Sequence, residues 1–203
     1  LSQQLNLTGF FYDYQDLQVT VAVENVFVTQ NAAEATVWGF ESEMVARPVP
    51  ELSLIANASY LNAKFDHYIG FREEDRFQRP ADFSGNDLTR APRYSLNLAA
   101  QYDFDLRAWG TLSPRVQFYA SDDVFFRAAN DDANKQDNYT KTDLRLTWRS
   151  DGGSLTVEAF VDNLGDQDVI QSQIVGSSLI GWPLTTALDE PRVYGVRVGY
   201  RFL

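Results

Sequence analysis

The sequence predicts an all-β fold, an antiparallel transmembrane β-barrel with about eight strands. Three observations predict it. Apolar and polar residues alternate with a period close to 2 along most of the 203 residues, the signature of strands with one apolar face. Short turns carrying Pro, Gly or Asp alternate strictly with long connections. No apolar run approaches the roughly 20 residues that a membrane helix requires, and the mean hydropathy is −0.31, which strands with one lipid face and one polar face average out to give.

Taken in order, the first strand spans about 4–14 and is rich in Phe and Tyr, which leaves its phase open. A long connection, 15–33, leads to a strand at 34–47, where Trp38, Phe40, Ser42 and Met44 oppose Gly39, Glu41 and Glu43. Arg47-Pro48-Val49-Pro50-Glu51 makes a short turn into 51–66, as prolines outside strand interiors do. The connection 67–90 precedes a strand at 91–105, where Tyr94, Leu96, Leu98, Ala100, Tyr102 and Phe104 alternate with polar or small residues. Asp105 to Gly110 turns the chain into 111–126, and 127–138 is again long. In 139–150, Leu144, Leu146 and Trp148 oppose Asp143, Arg145 and Thr147. Ser150-Asp151-Gly152-Gly153 has hairpin composition, and in 153–164 Leu155, Val157, Ala159 and Val161 oppose Thr156, Glu158, Phe160 and Asp162. After 165–190, the strand 191–203 sets Tyr194, Val196, Val198, Tyr200 and Phe202 against Val193, Gly195, Arg197, Gly199 and Arg201.

Magnitudes assign the faces. An Arg on the lipid face at the bilayer midplane costs about 2–4 kcal/mol, so Arg145, Arg197, Glu158, Glu41 and Glu43 are expected to face the lumen. Strands of about 12 residues exceed the 9–11 needed to cross at a tilt. Long connections at one end and short turns at the other match outer-membrane barrels. A soluble sandwich alternates equally well, but its strands run to about 5–6 residues.

Six segments in series resemble the C-terminal part of the β-barrel of TonB-dependent outer-membrane receptors. They are Phe10-Phe11-Tyr12-Asp13-Tyr14 running on to Val19; Asn31 to Glu43 with its Gly39-Phe40-Glu41 core; Arg47-Pro48 followed by Leu52-Ser53-Leu54; Ala91-Pro92-Arg93-Tyr94; Asp162-Asn163-Leu164-Gly165-Asp166; and Glu190-Pro191-Arg192-Val193-Tyr194-Gly195 leading into Tyr200-Arg201-Phe202. The resemblance covers essentially the whole chain. It implies that residues 1–203 are the C-terminal segment of a larger barrel, with the plug domain and N-terminal barrel strands lying elsewhere. It further implies import of a scarce nutrient, most often a ferric siderophore, with energy reaching the plug from the TonB complex. The expected setting is the bacterial outer membrane, against lipid and lipopolysaccharide. The alternatives are a self-contained eight-stranded barrel with a structural or adhesin role, and a soluble β-protein binding a small ligand.

Composition narrows the chemistry. A net charge of −11 opposes a polyanionic partner, so no nucleic acid is expected. The chain has no Cys and one His, His67, which removes thiolate sites and makes a Ser-His-Asp constellation improbable. Asp122-Asp123 and Asp131-Asp132 read as solvated loop carboxylates, and Gly152-Gly153 as a turn with no helix behind it to cradle phosphate. We expect no enzyme activity, no resident metal and no cofactor. Recognition is assigned to the long connections: Phe71, Arg72, Arg76, Phe77 and Arg79, then Phe126 and Arg127, then Trp182. Cations beside aromatics suit an anionic, ring-bearing chelate. The same residues would equally suit an interfacial girdle facing lipopolysaccharide phosphate.

Overall fold

A computed structural model describes residues 2–23, 26–72, 75, 77, 79–176, 181 and 183–202. Among the described residues the strands are, in chain order, β1 Ser2–Val23, β2 Val26–Val49, β3 Leu52–Phe71, β4 Pro80–Asp82, β5 Tyr94–Tyr102, β6 Phe104–Asp105, β7 Thr111–Ser121, β8 Val124–Phe125, β9 Lys135–Gln136, β10 Tyr139–Arg149, β11 Leu155–Asp162, β12 Ile170–Val175, β13 Leu184–Leu188 and β14 Val193–Tyr200. The wall is antiparallel, in the order β1-β2-β3-β5-β7-β10-β11-β14. These eight strands are the ones expected from the periodicity, each paired with its neighbour in sequence.

The first connection is not a loop. Strands β1 and β2 stay paired beyond the bilayer length, through Leu17↔Ala33 and on to Val23↔Val26. What reads as a break at Gln15-Asp16 is a β-bulge: the register shifts between Tyr14 and Leu17, and Asp16 takes a positive φ of 57°. A bulge inserts unpaired residues without ending the strand, so polar residues in mid-strand imitate a loop. β3 likewise runs past its expected end at 66 to Phe71, while the wall strands from β5 onward are shorter than expected. Pro114 has no N–H to give to Tyr102 opposite it, and the strand expected at 91–105 is interrupted at the next residue, Asp103, between β5 and β6. Asp122-Asp123 ends β7 before Val124–Phe125, which pairs with β9 in a separate ribbon.

The register defines two faces. Glu41, Glu43, Asn57, Asn97, Gln117, Arg145, Glu158 and Arg197 lie on one; Phe40, Tyr60, Leu96, Val116, Leu146, Ala159 and Val196 lie on the other. Pairing of Thr8 with Glu41 and Phe11 with Trp38 fixes the phase that the first strand leaves open in the sequence. Leu5, Leu7 and Phe11 point to the apolar face, and Asn6, Thr8 and Phe10 to the polar one. The apolar face has no protein cover: Leu7 is 73% and Tyr194 78% exposed. Such a continuous apolar surface needs a non-aqueous neighbour, which a bilayer supplies.

Glycines admit bulky residues on the polar face. A Cβ on Gly39 would collide with the Tyr60 carbonyl and meet the Phe10 ring at 2.8 Å. Gly195 lies under the Phe160 ring, 2.9 Å from where a Cβ would stand. This explains an aromatic residue in the polar phase of β11.

Among the described residues, a buried hydrophobic cluster lies at the end of the sheet that bears the long connections. Ala33, Ala35, Phe65, Tyr68 and Phe83 pack together, flanked by Leu17, Val19, Ala81, Leu88, Ala128 and Ala129. Ring centroids are 5.0 Å apart for Phe65 and Tyr68 and 5.4 Å for Tyr68 and Phe83. The outer ends of β2 and β3 thus share a core with Phe83 and with residues of the connections after β3 and β7.

Candidate functional site

Two regions of the polar face combine charge with defined geometry. The first is a charge ladder across β10, β11 and β14. The Arg145 guanidinium donates to Asp162 at 2.9 Å and lies 3.7 Å from Glu158. Arg197 donates to the same Glu158 oxygen at 2.9 Å, and the Thr147 hydroxyl donates to its other oxygen at 3.3 Å. Both guanidiniums also flank the Phe160 ring, at 5.8 Å and 5.7 Å from its centroid. Glu158 is therefore a shared acceptor between two cations, which offsets their mutual repulsion. Toward the short turns the face opens into a hollow of about 670 Å³ that includes Glu51, Asp103, Asp105, Arg115, Arg145, Arg149 and Glu158 in its walls. Charges of both signs line it, so it suits a polar, mixed-charge surface better than an apolar ligand. Glu41 and Glu43 share this face on β2, and Glu43 accepts from the Asn6 amide at 3.4 Å.

The second region is the end with the long connections. Arg72 donates from one nitrogen, Nη1, to both Asp131 oxygens, at 2.8 and 2.7 Å, which ties the connection after β3 to the one after β7. The Asn86 amide donates to the Ala128 carbonyl at 2.7 Å, and Asn130 receives the Asp87 N–H at 2.7 Å while donating to the Asp87 carbonyl at 3.1 Å. The last connection is held by Asn163, 1% exposed, with φ at 53°. Its carbonyl oxygen accepts from the Gln167 N–H at 2.9 Å, and its amide donates to the Gln167 and Glu190 carbonyls at 2.9 and 3.3 Å. Asn is among the few residues that tolerate the left-handed region while bonding the local backbone, the physical content of the Asn163-Leu164-Gly165-Asp166 motif. Nearby, Lys141 donates to Asp189 at 2.7 Å. That bond, helped by the Glu190 N–H, holds the Asp189 carboxyl below the usual carboxylate range.

The structure distributes the expected recognition residues as follows. Phe71 ends β3, paired with Pro80. Arg72 belongs to the Asp131 tie. Arg79 pairs with Asp75 at 2.7 Å and sits 5.8 Å from the Phe77 ring; its hydrogen bond is the main reason that the Asp75 carboxyl lies below its ordinary value. Phe126 carries the Arg90 guanidinium at 5.9 Å, and the Arg127 carbonyl accepts from Asn130. Arg76 and Trp182 lie outside the described residues. Arg72 and Arg79, expected to meet a ligand, thus already engage carboxylates of their own chain. Arg90, Tyr119 and Tyr139, which sequence reasoning did not single out, come together instead in a hollow at this end. The signal was present in the phase: Tyr119 and Tyr139 flank a long connection on the same parity as Gln117, Lys141 and Arg145. Among the described residues no group of three or more His, Cys, Asp or Glu is placed to hold a metal ion.

Comparison with known proteins places this architecture. Residues 2–164 match the family model described as TonB dependent receptor-like, beta-barrel. The ferric yersiniabactin uptake receptor FyuA of Yersinia pestis is similar at 21% identity and a TM-score of 0.78, over 99% of this chain and 28% of that one. The siderophore receptor PiuA of Acinetobacter baumannii is similar at 18% identity and a TM-score of 0.71, over 96% and 25% of the two chains. The copper transporter OprC is similar at 17% identity and a TM-score of 0.67, over 98% and 29%. The chain spans between 25% and 29% of the length of these three structures. It belongs to the TonB-dependent receptors, as a segment of the β-barrel with which that family crosses the outer membrane.

Proposed function

We propose that the chain is the C-terminal barrel segment of an active transporter that imports a ferric siderophore, driven by the TonB complex through a plug domain. The observation that carries this reading is the polar face itself: a ladder of alternating charge, Arg145, Glu158 and Arg197, with Glu41 and Glu43 further round the wall. Such charges are costly against lipid and belong to a polar interior, where a mixed-charge protein surface would complement both signs. The hollow of about 670 Å³ beside the ladder offers room for side chains of such a plug.

The outer edges of β1 and β14 support the larger barrel. Among the described residues they do not pair with one another, and in lipid each unsatisfied backbone group costs several kcal/mol. Further strands satisfy them. The connections carrying Phe71, Arg72, Arg76, Phe77, Arg79, Phe126, Arg127 and Trp182 then form the outer vestibule, and the apolar face meets lipid and lipopolysaccharide. Siderophore receptors recur among the similar structures, which favours an iron chelate over free copper.

The test is uptake by a strain lacking the gene. Iron-55 accumulation from one or more ferric siderophores should fall to background and return on complementation, and a protonophore should abolish it. Unchanged iron uptake together with lost copper uptake would replace the substrate; unchanged uptake of both would end the transport reading.

A further inference from the structure

We infer that the lipid-facing wall between β5 and β11 holds an anionic phospholipid of the periplasmic leaflet, with one acyl chain in a hollow of the wall and the phosphate beside Arg107. The inference uses the outer-membrane setting of the family and is independent of what is imported.

A hollow of about 490 Å³ lies on the apolar face, within the roughly 300–1,000 Å³ of pockets that hold whole small ligands. Residue size makes it. Ala100, Pro114 and Ala159 bring little side chain to their places in neighbouring strands, while Tyr102, Leu144 and Leu146 stand around them. Arg115 and Arg145 also line it, but each falls between two apolar-phase neighbours. Their guanidiniums are engaged on the opposite face, by Gln117 and Asp162. They bring backbone to the hollow, which therefore suits a hydrocarbon chain. One hydrocarbon surface replaces another there, so the chain itself gives little preference. Selection falls to the headgroup.

Headgroup contacts lie toward the short turns. The Tyr102 and Phe104 rings, 4.6 Å apart, lead from the rim of the hollow toward the turn 106–110, and Leu112 joins Phe104 to Trp148. The Trp148 indole N–H donates to the Trp109 carbonyl at 2.7 Å, and Trp109 itself is 77% exposed. Tyr and Trp gathered in this way mark the membrane–water boundary, the level of the headgroups. The short turns of outer-membrane barrels are periplasmic, which makes the lipid source phospholipid and not lipopolysaccharide.

Arg107 supplies the charge. It is exposed and enters no ion pair among the described residues; the Asp105 carboxylate beside it accepts the Arg107 backbone N–H at 2.7 Å. Its backbone is fixed in the left-handed region, with φ at 57°, and its carbonyl accepts from the Gly110 N–H at 2.9 Å. Gly110 in turn lies so close to the Arg149 carbonyl that no side chain would fit, which seats this turn against the next one. A cation held at the membrane boundary near a recess for a chain favours an anionic headgroup over a zwitterionic one.

The experiment incubates the receptor, purified in detergent, with equal amounts of phosphatidylglycerol and phosphatidylethanolamine of identical chains, and reads retained lipid by native mass spectrometry. Phosphatidylglycerol should be retained in roughly fivefold excess, the share of one cation near an anionic headgroup. Arg107→Gln should bring the two lipids to equal retention, and Ala159→Phe, which fills the recess from the lipid side, should cut retention of both. Retained heat-modifiable mobility in gels identifies folded variants. Equal retention by the unaltered receptor, an excess that survives in folded Arg107→Gln, or undiminished retention in folded Ala159→Phe overturns the site. A lipid-free pair of receptors would give this face to a second copy, and displacement of phosphatidylglycerol by an equal amount of lipopolysaccharide would move the source to the outer leaflet; either result also overturns it.

Discussion

Asn163 joins three backbone positions through one side chain at the end of β11. Truncation strands the Gln167 N–H and two carbonyls in a site that is 1% exposed, and buried polar groups left unpaired cost about 1–3 kcal/mol each before relaxation and water entry. Asn163→Ala should therefore destabilise the receptor by about 2–4 kcal/mol, whereas Asn163→Asp, which keeps the acceptor for the Gln167 N–H but sets a carboxylate oxygen against the Gln167 and Glu190 carbonyls in a buried site, should lose more. Urea unfolding from detergent, followed by heat-modifiable mobility, orders the two variants; equal losses would refute the accounting. Much of this was legible at the residue scale. The Asn-Leu-Gly-Asp string is visible in the sequence, and the register bears out the alternation around Arg145, Glu158 and Arg197. Phe160 in a polar phase was not explicable from β11 alone, because its partner Gly195 lies across a strand pair.

Among elements, the long connections depart furthest from expectation. Sequence periodicity reports a strand only where one face is apolar over several residues, and the bulge at Asp16 interrupts that pattern without interrupting the pairing. Short ribbons such as β8 with β9 span too few residues to display a period at all. Their order comes from links between connections, among them the Arg72–Asp131 ion pair. Its two partners are 43% and 32% exposed, so it is worth about 0–1 kcal/mol to the whole fold. Arg72→Ala should leave global unfolding unchanged within that margin and still raise amide hydrogen exchange in residues 124–136, since local opening and global stability are separate quantities. Unaltered exchange there would mean that the Phe65, Tyr68 and Phe83 cluster alone secures the assembly. The candidate site was only partly legible for the same reason: charge and aromaticity marked the right connections, while the partners that occupy Arg72 and Arg79 sit on segments distant in sequence.

For the whole molecule, carboxyls at the end that bears the connections set a limit to its order in acid. Asp75, Asp82 and Asp189 all lie below the usual carboxylate value, chiefly through side-chain hydrogen bonds to Arg79, Ser84 and Lys141 respectively. A carboxyl whose folded pKa is depressed contributes stability above its unfolded pKa of about 4 and loses it as pH falls through the lower, folded value. The connections should thus stay ordered from neutral pH to about 4 and loosen below it, with the strands still paired. Because the chain has no Cys, a single nitroxide on Thr185→Cys reports on the β12–β13 hairpin without background. Its spectrum should sharpen only in that acidic window; sharpening at pH 6 or above would contradict the assignment. Fold class and strand order were legible because a two-faced wall repeats its rule in every strand. The extent of β1 and β2 beyond the bilayer was not, because nothing in a membrane-derived rule limits a hairpin once it has left the lipid.

The buried cluster of Phe65, Tyr68 and Phe83 has a consequence for immunity. Segments that share one core present an outer surface assembled from stretches far apart in the chain, so antibodies raised on intact cells should recognise a discontinuous epitope, and sera against linear peptides from 65–90 should bind the denatured protein and pass over the living bacterium.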